Sequence, residues 1–291
     1  MMVDFPPTVA TRDGLALFTR HWPLAGARPA PGVALLVHGL GEHVGRYEHV
    51  AQHLNQQGWA VVGYDHRGHG QSPGKRGALR DHHDLLDDLA TVIDATRQAY
   101  PTQPLVLIGH SLGGAIAARF AAAHAVPAES ARWVRPIDGL VLSSPALSIP
   151  IGAFQRLLLA TVGQLTPDVA VSNGLQPAWI CHNPATVAAY RADPLVHDRV
   201  TGRLTSWLIE AGQVARARAA QWQVPTLIMW GGEDRCVDPA GSAAFAASAP
   251  RERVASHPWP RLSHEIFNEV EQTGVLAALS GWLQSTFPAE K

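Results

Sequence analysis

The chain has 291 residues, enough for one large domain or two smaller ones and for a sizeable buried core. Hydrophobic residues make up 46% of it and charged residues only 16%, which indicates a globular chain and argues against disorder. The formal net charge of −1 provides no basic face for nucleic acid and no general attraction to an acidic membrane surface.

The ends of the chain and its thiols suggest a location. The first 14 residues lack an apolar core flanked by basic residues, so the sequence predicts no signal peptide. The sequence contains no run of about 18 apolar residues, so it predicts no transmembrane helix. The two cysteines, Cys181 and Cys236, are too few for a disulfide framework and are interpreted as free thiols. We therefore expect a cytoplasmic protein, and peripheral contact with a membrane is an alternative that the sequence leaves open.

The predicted elements alternate along the chain. The first predicted strand, residues 15–22, alternates apolar with polar or small side chains. Short, continuously apolar runs predict strands buried on both faces at residues 33–37, 59–64, 105–108, 140–143 and 226–230. Helical segments are predicted at residues 47–57, 85–99, 112–124, 240–247 and 275–286. Strands that alternate with helices predict an α/β fold with a parallel sheet covered on both faces.

One stretch, residues 145–220, interrupts this alternation because it carries no strand signal. Residues 149–165 and 204–214 have apolar side chains at helical spacing, and two proline-containing breaks lie between them. We interpret the stretch as a helical cap between two parts of one core, residues 1–144 and 221–291. Since ligands in open α/β sheets bind beyond the carboxyl ends of the strands, the cap is expected to cover the site.

Ser111 lies in the pattern G-x-S-x-G at residues 109–113, after a predicted strand and before a predicted helix. In that context the turn is so tight that the serine backbone is strained and its hydroxyl is exposed. The free N–H groups at the start of the helix favour an oxyanion. The pattern therefore indicates a nucleophile, and the alternative is a glycine-rich turn that contains a serine by chance.

An acid and a base follow the serine in the chain order that this kind of site requires. Asp234 comes just after the strand predicted at residues 226–230, and His264 lies in a loop before the last helix. A carboxylate that accepts a hydrogen bond from one imidazole nitrogen fixes the tautomer, so the other nitrogen can take the serine proton. We therefore expect Ser111, Asp234 and His264 to act together.

Three neighbouring residues are alternatives for these roles. Glu233 and Asp238 could each be the acid, although an aspartate before a proline, as at Asp238, is typical of a helix N-cap. His257 could be the base, but it lies in or beside a strand near residues 253–257 and is interpreted as structural.

The loop at residues 38–41, His-Gly-Leu-Gly, is expected to supply half of an oxyanion hole. One donor in such a site is the N–H after the nucleophile, here Leu112, and the second comes from this loop, here assigned to Leu40. The same glycines, with Asp65 ending the next strand, also suggest a dinucleotide-binding turn. The spacing is not G-x-G-x-x-G, so that alternative is weak.

Other polar groups indicate no metal and no cofactor. His49 and His53 lie four residues apart on a predicted helix, but the glutamate of H-E-x-x-H and a third ligand are missing. A solvated helix face is the expected role of these two histidines. Asp87 and Asp88, near the start of another helix, are expected to favour its dipole.

Several motifs together resemble the monoacylglycerol lipase and lysophospholipase-like branch of the α/β-hydrolases. The first is His-Gly-Leu-Gly-Glu-His at residues 38–43, with Arg46 and Tyr47 close behind, and the second is residues 64–72. The resemblance continues in order over nearly the whole chain, at residues 109–114, 192–198 and 264–266.

This resemblance implies an α/β-hydrolase fold with a mostly parallel eight-stranded sheet and a helical cap. It implies cofactor-free hydrolysis of one fatty-acyl ester bond, most simply that of a monoacylglycerol. The family's catalytic residues fall on Ser111, Asp234 and His264, and its oxyanion donors on Leu40 and Leu112. The cap motif around Pro194 is expected to be structural, whereas residues 179–181 match no known pattern.

Alternatives remain for the substrate and for the class of function. A lysophospholipase or a short-chain carboxylesterase would use the same three residues. A ligand-binding receptor on a hydrolase fold is the alternative from a different class. The apolar helix predicted at residues 149–165 is expected to line an acyl tunnel, with transient contact between the cap and a membrane or micelle surface.

Overall fold

The computed structural model describes residues 3–24, 30–125, 128–150 and 166–288. The strands in these parts are β1 (Thr8–Ala10), β2 (Ala16–Trp22), β3 (Val33–Val37), β4 (Ala60–Tyr64), β5 (Leu105–His110), β6 (Gly139–Ser143), β7 (Ala170–Ser172), β8 (Arg199–Thr201), β9 (Thr226–Gly231) and β10 (Val254–Trp259). The helices are α1 (Glu48–Gln56), α2 (Asp84–Ala99), α3 (Leu112–Ala122), α4 (Pro184–Ala192), α5 (Gly202–Ala217), α6 (Pro239–Ser248) and α7 (Gln272–Thr286).

Eight of these strands form one sheet in the order β1-β2-β4-β3-β5-β6-β9-β10. The pairs from β4 to β10 are parallel, whereas β2 pairs antiparallel with both β1 and β4. The predicted mostly parallel sheet is therefore confirmed. Strand β1 was not predicted, because three residues are too few to show an alternating pattern.

Both faces of the sheet are covered, which explains why its central strands are apolar throughout. Val33, Leu35 and Val37 of β3 point into a core cluster shared with α2 and α3. Ala34 and Leu36 point the other way, into a second cluster shared with α1 and α7. Successive side chains of a strand alternate between faces, so a strand with helices on both sides needs an unbroken apolar run.

The region predicted as an all-helical cap contains a small sheet as well. Strands β7 and β8 pair antiparallel, with Ala170 opposite Thr201, so the expectation of no strand in residues 145–220 was wrong. Each is only three residues long, which leaves too few positions to show a hydrophobic pattern. The helix predicted at residues 149–165 lies almost wholly outside the described residues.

Helix α5 joins the cap region to the core. Its residues Leu204, Trp207 and Ala211 belong to the same hydrophobic cluster as α2 and α3. The division into residues 1–144, 145–220 and 221–291 therefore stays a prediction. None of the helices α1 to α7 combines the length and the apolar composition that a transmembrane span requires.

Candidate active site

Ser111 occupies a strained turn between β5 and α3. Its φ is 53° and its ψ −116°, a backbone conformation that residues other than glycine rarely adopt. A Cβ at Gly109 would lie 2.5 Å from the Gly113 oxygen, and one at Gly113 would lie 2.0 Å from the Val37 oxygen. The two glycines are thus required for α3 to turn back tightly against the sheet, as the G-x-S-x-G pattern predicted.

His264 and Asp234 form a buried pair at the same edge of the sheet. His264 Nδ1 lies 2.7 Å from Asp234 Oδ2, and both side chains are almost fully buried. The other carboxylate oxygen, Oδ1, accepts hydrogen bonds from the N–H groups of Cys236, at 2.8 Å, and Val237, at 3.0 Å. This arrangement fixes the carboxylate and leaves His264 Nε2 as the nitrogen available to a substrate or nucleophile.

The charge state of His264 reflects two opposed effects. Burial lowers its pKa, but the negative charge and hydrogen bond of Asp234 outweigh that effect and raise the pKa above its usual 6.5. The imidazolium that forms when the ring takes a proton is therefore stabilised by Asp234. A raised pKa makes the ring a stronger base toward the serine proton.

The histidine loop, residues 260–269, lies beside the serine turn. The rings of His264 and His110 are in contact, with centroids 4.6 Å apart, and His110 directly precedes Ser111. His110 Nδ1 lies 3.0 Å from the Ser143 carbonyl oxygen, and burial lowers the pKa of this ring to about 4. Within the described residues no hydrogen bond joins Ser111 to His264. Such bonds often tighten only when substrate is bound.

The loop after β3 also reaches the serine. A Cβ at Gly39 would lie 3.2 Å from Ser111 Cβ, so the start of this loop packs against the nucleophile turn. Leu112 is the first residue of α3, and its N–H is among those that a helix start leaves without an intrahelical partner. Leu112 thus adjoins Ser111 and Leu40 follows Gly39 in the chain, and their roles as oxyanion donors stay predictions.

A buried ion-pair network links this loop to the histidine loop. Arg46 Nη1 lies 2.6 Å from both Glu42 Oε2 and Glu265 Oε1, and Nη2 lies 2.8 Å from Glu265 Oε2. Glu42 Oε1 accepts from the Gly39 N–H and the Tyr47 hydroxyl, each at 2.6 Å. Burial opposes ionisation of Glu42, but the positive charge of Arg46 outweighs this effect and lowers the pKa of Glu42. Arg46 thus fixes the two loops relative to each other.

Hydrogen bonds also join the cap to the histidine loop. The Glu265 N–H donates to the Ile180 carbonyl oxygen at 2.7 Å. The fully buried carboxylate of Glu269 accepts from the Ser263 N–H at 2.8 Å and from the His182 N–H at 3.0 Å, and it lies 2.9 Å from His182 Nδ1. Ile180, from the stretch 179–181 that matched no known pattern in sequence, and the neighbouring His182 therefore hold the residues on both sides of His264.

The motif around Pro194 fastens the cap to the oxyanion loop. Asp193 Oδ2 lies 2.8 Å from His43 Nε2, and the His197 N–H donates to the Gly41 carbonyl oxygen at 2.8 Å. The ring of Tyr190 lies 4.8 Å from the Arg46 guanidinium carbon, a favourable cation–π distance. The structural role expected for this motif is confirmed by these contacts.

The alternatives for acid and base occupy other environments. Glu233 is exposed and lies 3.5 Å from His182 Nε2. Asp238 caps α6 through the Ala240 N–H, at 3.0 Å, which confirms the interpretation as an N-cap. His257 stacks on Trp259 in an exposed position of β10. Of these groups, only Asp234 contacts His264.

The two histidines of α1 and Asp65 bond to other parts of the chain. The predicted solvated face at His49 and His53 was wrong, because His49 Nε2 lies 2.9 Å from the Phe267 oxygen and His53 Nε2 lies 2.7 Å from Ser280 Oγ. These histidines instead face the C-terminal part of the chain. Asp65 is engaged by the Val44 and Gln71 N–H groups, both at 2.8 Å, and holds two loops together.

The acidic pair on α2 does more than complement a helix dipole. Asp87 pairs with Arg132 at 2.6 Å, and the buried Asp88 pairs with Arg67 at 2.6 Å. Burial raises the pKa of Asp88 to about 6 despite the charge of Arg67. These pairs attach the start of α2 to neighbouring loops, away from Ser111.

Comparisons with known proteins agree with this geometry. The sequence model of the family described as "Serine aminopeptidase, S33" matches residues 28–271. The monoacylglycerol lipase of Mycolicibacterium smegmatis is 38% identical and aligns with 87% of this chain and 88% of its own length. The phospholipase YtpA of Bacillus subtilis is 29% identical over 88% of this chain and 96% of that protein.

A solved structure shows the same architecture. The crystal structure of the Paleococcus ferrophilus monoacylglycerol lipase is 33% identical to this chain, with a TM-score of 0.79. The match covers 93% of this chain and 99% of the other. The sheet, the serine turn and the order of the strands and helices described above thus belong to an α/β-hydrolase fold.

Proposed function

The chain belongs to the serine aminopeptidase S33 family and is a carboxylic ester hydrolase; from this premise we propose that it releases the fatty acid of a monoacylglycerol through an acyl-enzyme on Ser111. The observation that carries the proposal is the buried contact of 2.7 Å between His264 and Asp234, placed beside a strained serine. Lipid ester hydrolysis in relatives supports the substrate class.

The first half of the reaction forms the acyl-enzyme. Ser111 Oγ attacks the ester carbonyl carbon while His264 Nε2 takes the hydroxyl proton. Asp234 keeps the Nδ1–H in place and stabilises the imidazolium. The N–H groups of Leu40 and Leu112 would hold the negative oxygen of the tetrahedral intermediate. When that intermediate collapses, His264 returns the proton to the leaving glycerol oxygen.

The second half uses water by the same route. His264 takes a proton from water, the hydroxide oxygen attacks the acyl carbon, and the proton returns to Ser111 as the fatty acid leaves. In both halves the proposal assigns the chemistry to side chains and backbone groups of this chain.

Two cavities with mixed linings support an amphiphilic substrate. One of about 300 Å³ is lined by Leu147 and Leu208 on its apolar side and by Gln213 and Arg216 on its polar side. Ala146, which also lines it, donates its N–H to the Ser111 carbonyl oxygen at 3.0 Å, so this cavity adjoins the serine turn. The other, of about 320 Å³, lies in the cap, and its lining combines Leu175 and Ile180 with Asn173, Asp193 and His197. A lining that is part apolar and part polar suits a substrate with an acyl chain and a polar headgroup.

The cap also presents apolar side chains to solvent. Val169, just before β7, and Val171, within it, are each more than half exposed, with 56% and 54% of their surface accessible. The two side chains, two residues apart in the chain, add apolar area to the surface of the cap. This supports the proposed transient contact of the cap with a membrane or micelle.

A substrate panel tests the proposal. We expect hydrolysis of monoacylglycerol to exceed that of emulsified triacylglycerol, because a cap over the site excludes bulky esters. Equal rates on the two would contradict that preference. Lysophosphatidylcholine belongs in the panel because a phospholipase is among the relatives. Faster hydrolysis of it than of monoacylglycerol would identify the protein as a lysophospholipase. Rates that fall steadily as the acyl chain lengthens would instead identify a short-chain carboxylesterase.

A further inference from the structure

Cys236 lies on the same turn as the proposed catalytic acid, yet the mechanism does not use it. It follows Asp234 by two residues, and its side chain is buried, with 7% exposure. The thiol makes no hydrogen bond with any described residue, whereas Cys181 Sγ donates to the Asn268 oxygen at 3.0 Å. Burial raises the pKa of the Cys236 thiol. A soft donor atom is therefore held next to the acid and base without a polar partner.

The three side chains together form a mixed donor set. A carboxylate oxygen of Asp234, a ring nitrogen of His264 and the sulfur of Cys236 all lie within 4.8 Å of one another, and all three residues are buried. Zinc binds thiolate, imidazole and carboxylate at about 2.0–2.3 Å in tetrahedral geometry, with water in an open position. Gathering these atoms around one ion needs movements on the order of 1 Å at that bond length.

We propose that Asp234, Cys236 and His264 form an inhibitory site for Zn²⁺. The sulfur and nitrogen donors favour zinc and its thiophilic analogue Cd²⁺ over Mg²⁺ or Ca²⁺, which prefer oxygen ligands. Only Cys236 distinguishes this site from the acid–base pair itself. The same two residues that orient the reaction would thus be withdrawn from it by the ion.

Binding changes the protonation of two ligands. The Cys236 thiol loses its proton to solvent and binds as thiolate. His264 binds through Nδ1, the nitrogen that faces Asp234, so the ring proton moves to Nε2 and the ring stays neutral. With a proton on Nε2, the ring cannot accept the proton of Ser111. Inhibition therefore follows from the tautomer, and this part of the inference rests on the proposed function, whereas metal binding does not.

Titration of the purified protein with Cd²⁺ tests the site without reference to catalysis. A bound thiolate gives an ultraviolet charge-transfer band, which we expect to saturate at one equivalent. Cys181→Ala is the matched control, since it removes the other buried thiol and leaves Cys236. It should keep the band, and Cys236→Ala should lose it. A missing band in the unaltered protein, or a band that depends on Cys181 alone, would overturn the proposal.

Inhibition by Zn²⁺ is then measured on a soluble p-nitrophenyl ester. Each variant is compared with its own rate in EDTA, with Mg²⁺ as the control ion. Cys236→Ala should require at least about tenfold more Zn²⁺ for half inhibition, because even indirect partners of a metal change affinity by about 10–100-fold. Equal inhibition of all three proteins would show binding at surface histidines only and would refute the site.

Two outcomes keep the two proposals separate. A saturable band in a protein that hydrolyses no ester would uphold the metal site and remove the proposed function. If Cys236→Ala does not fold, Cys236→Val preserves the apolar contact with Ile180 and Cys181 and is titrated in its place. Zinc should raise the unfolding temperature of the unaltered protein and of Cys181→Ala, but not that of the valine variant.

Discussion

The serine turn, residues 109–113, and the histidine loop, residues 260–269, reach the same edge of the sheet by different physical means. The serine turn is fixed by backbone packing, because α3 lies so close to β3 and β5 that only glycine fits at two positions. The histidine loop contains only a short 3₁₀ turn, Ile266–Asn268, and is held by buried carboxylates. The nucleophile is thus fixed by the turn that directly follows β5, whereas the base depends on side-chain contacts from elsewhere in the chain.

Those contacts come from two directions. Arg46, from the segment after β3, pairs with Glu265, and residues 180–182 of the cap contact Glu265 and Glu269. A buried ion pair leaves a large uncompensated charge when one partner is removed. Substitutions far from Ser111 should therefore disturb the position of His264 much more than that of Ser111.

The largest expected effect comes from removing the charge that orients the base. Asp234→Asn should lower kcat by about 10⁴-fold, because an amide can hold the imidazole in the wrong tautomer. Ester hydrolysis in steady state measures this effect. Asp238→Ala is the matched control, since it removes a helix cap worth about 1 kcal/mol and should leave kcat within a fewfold of normal. Similar losses in both variants would mean that the acid is misassigned.

The next effect concerns the link between the two loops. Arg46→Met leaves Glu42 and Glu265 buried without their cation, which should lower the free energy of unfolding by about 3–5 kcal/mol. Chemical denaturation measures the change, and Arg251→Met, at an exposed position, is the control. An unfolding free energy within about 0.5 kcal/mol of normal, the range of ordinary surface changes, would show that the network does not stabilise the site.

A smaller effect is expected at the cap contact. Glu269→Gln replaces one carboxylate oxygen by an amide donor, so either the Ser263 N–H or the His182 N–H loses its acceptor, and about 1–3 kcal/mol should be lost. Because these residues flank His264, kcat should fall while labelling of Ser111 by a fluorophosphonate slows in parallel. Glu271→Gln, exposed in the same stretch, is the control and should change neither rate. An unchanged kcat in Glu269→Gln would show that the contact between the cap and Glu269 does not position His264.

The smallest predicted effect is a pH dependence. Because Asp234 raises the pKa of His264, kcat/KM should fall about tenfold per pH unit below a midpoint that lies above 6.5. Protonation of the ring below that pKa removes the base, which sets the sign. In Asp234→Asn the residual activity should show a lower midpoint, since burial then acts without an opposing charge. A midpoint that stays in place would assign the titration to another group.

The same comparison explains what the sequence could predict. The serine turn depends on neighbours within five residues, so its spacing reveals it, and the elements of the sheet follow from unbroken apolar runs. Asp234 and His264 could be selected from chain order, although the 15 histidines of the chain gave no other guide. Their catalytic roles stay predictions, whereas their contact is now described.

The contacts of the histidine loop could not be predicted, because they join residues distant in sequence through polar side chains without any periodicity. The motifs at Arg46 and Glu265 were noticed only through a family resemblance, and nothing marked His182 or Glu269. The histidines of α1 were misinterpreted because a polar side chain against a partner helix has the same sequence pattern as one in water. The strands β7 and β8 are too short to produce a signal.

The most direct test of the central claim is mass spectrometry of the protein after treatment with a fluorophosphonate. We predict one covalent adduct, located by peptide mapping on Ser111, together with complete loss of ester hydrolysis. Ser111→Ala should take up no adduct and retain its fold. An adduct on another serine, or ester hydrolysis that survives in purified Ser111→Ala, would contradict the account.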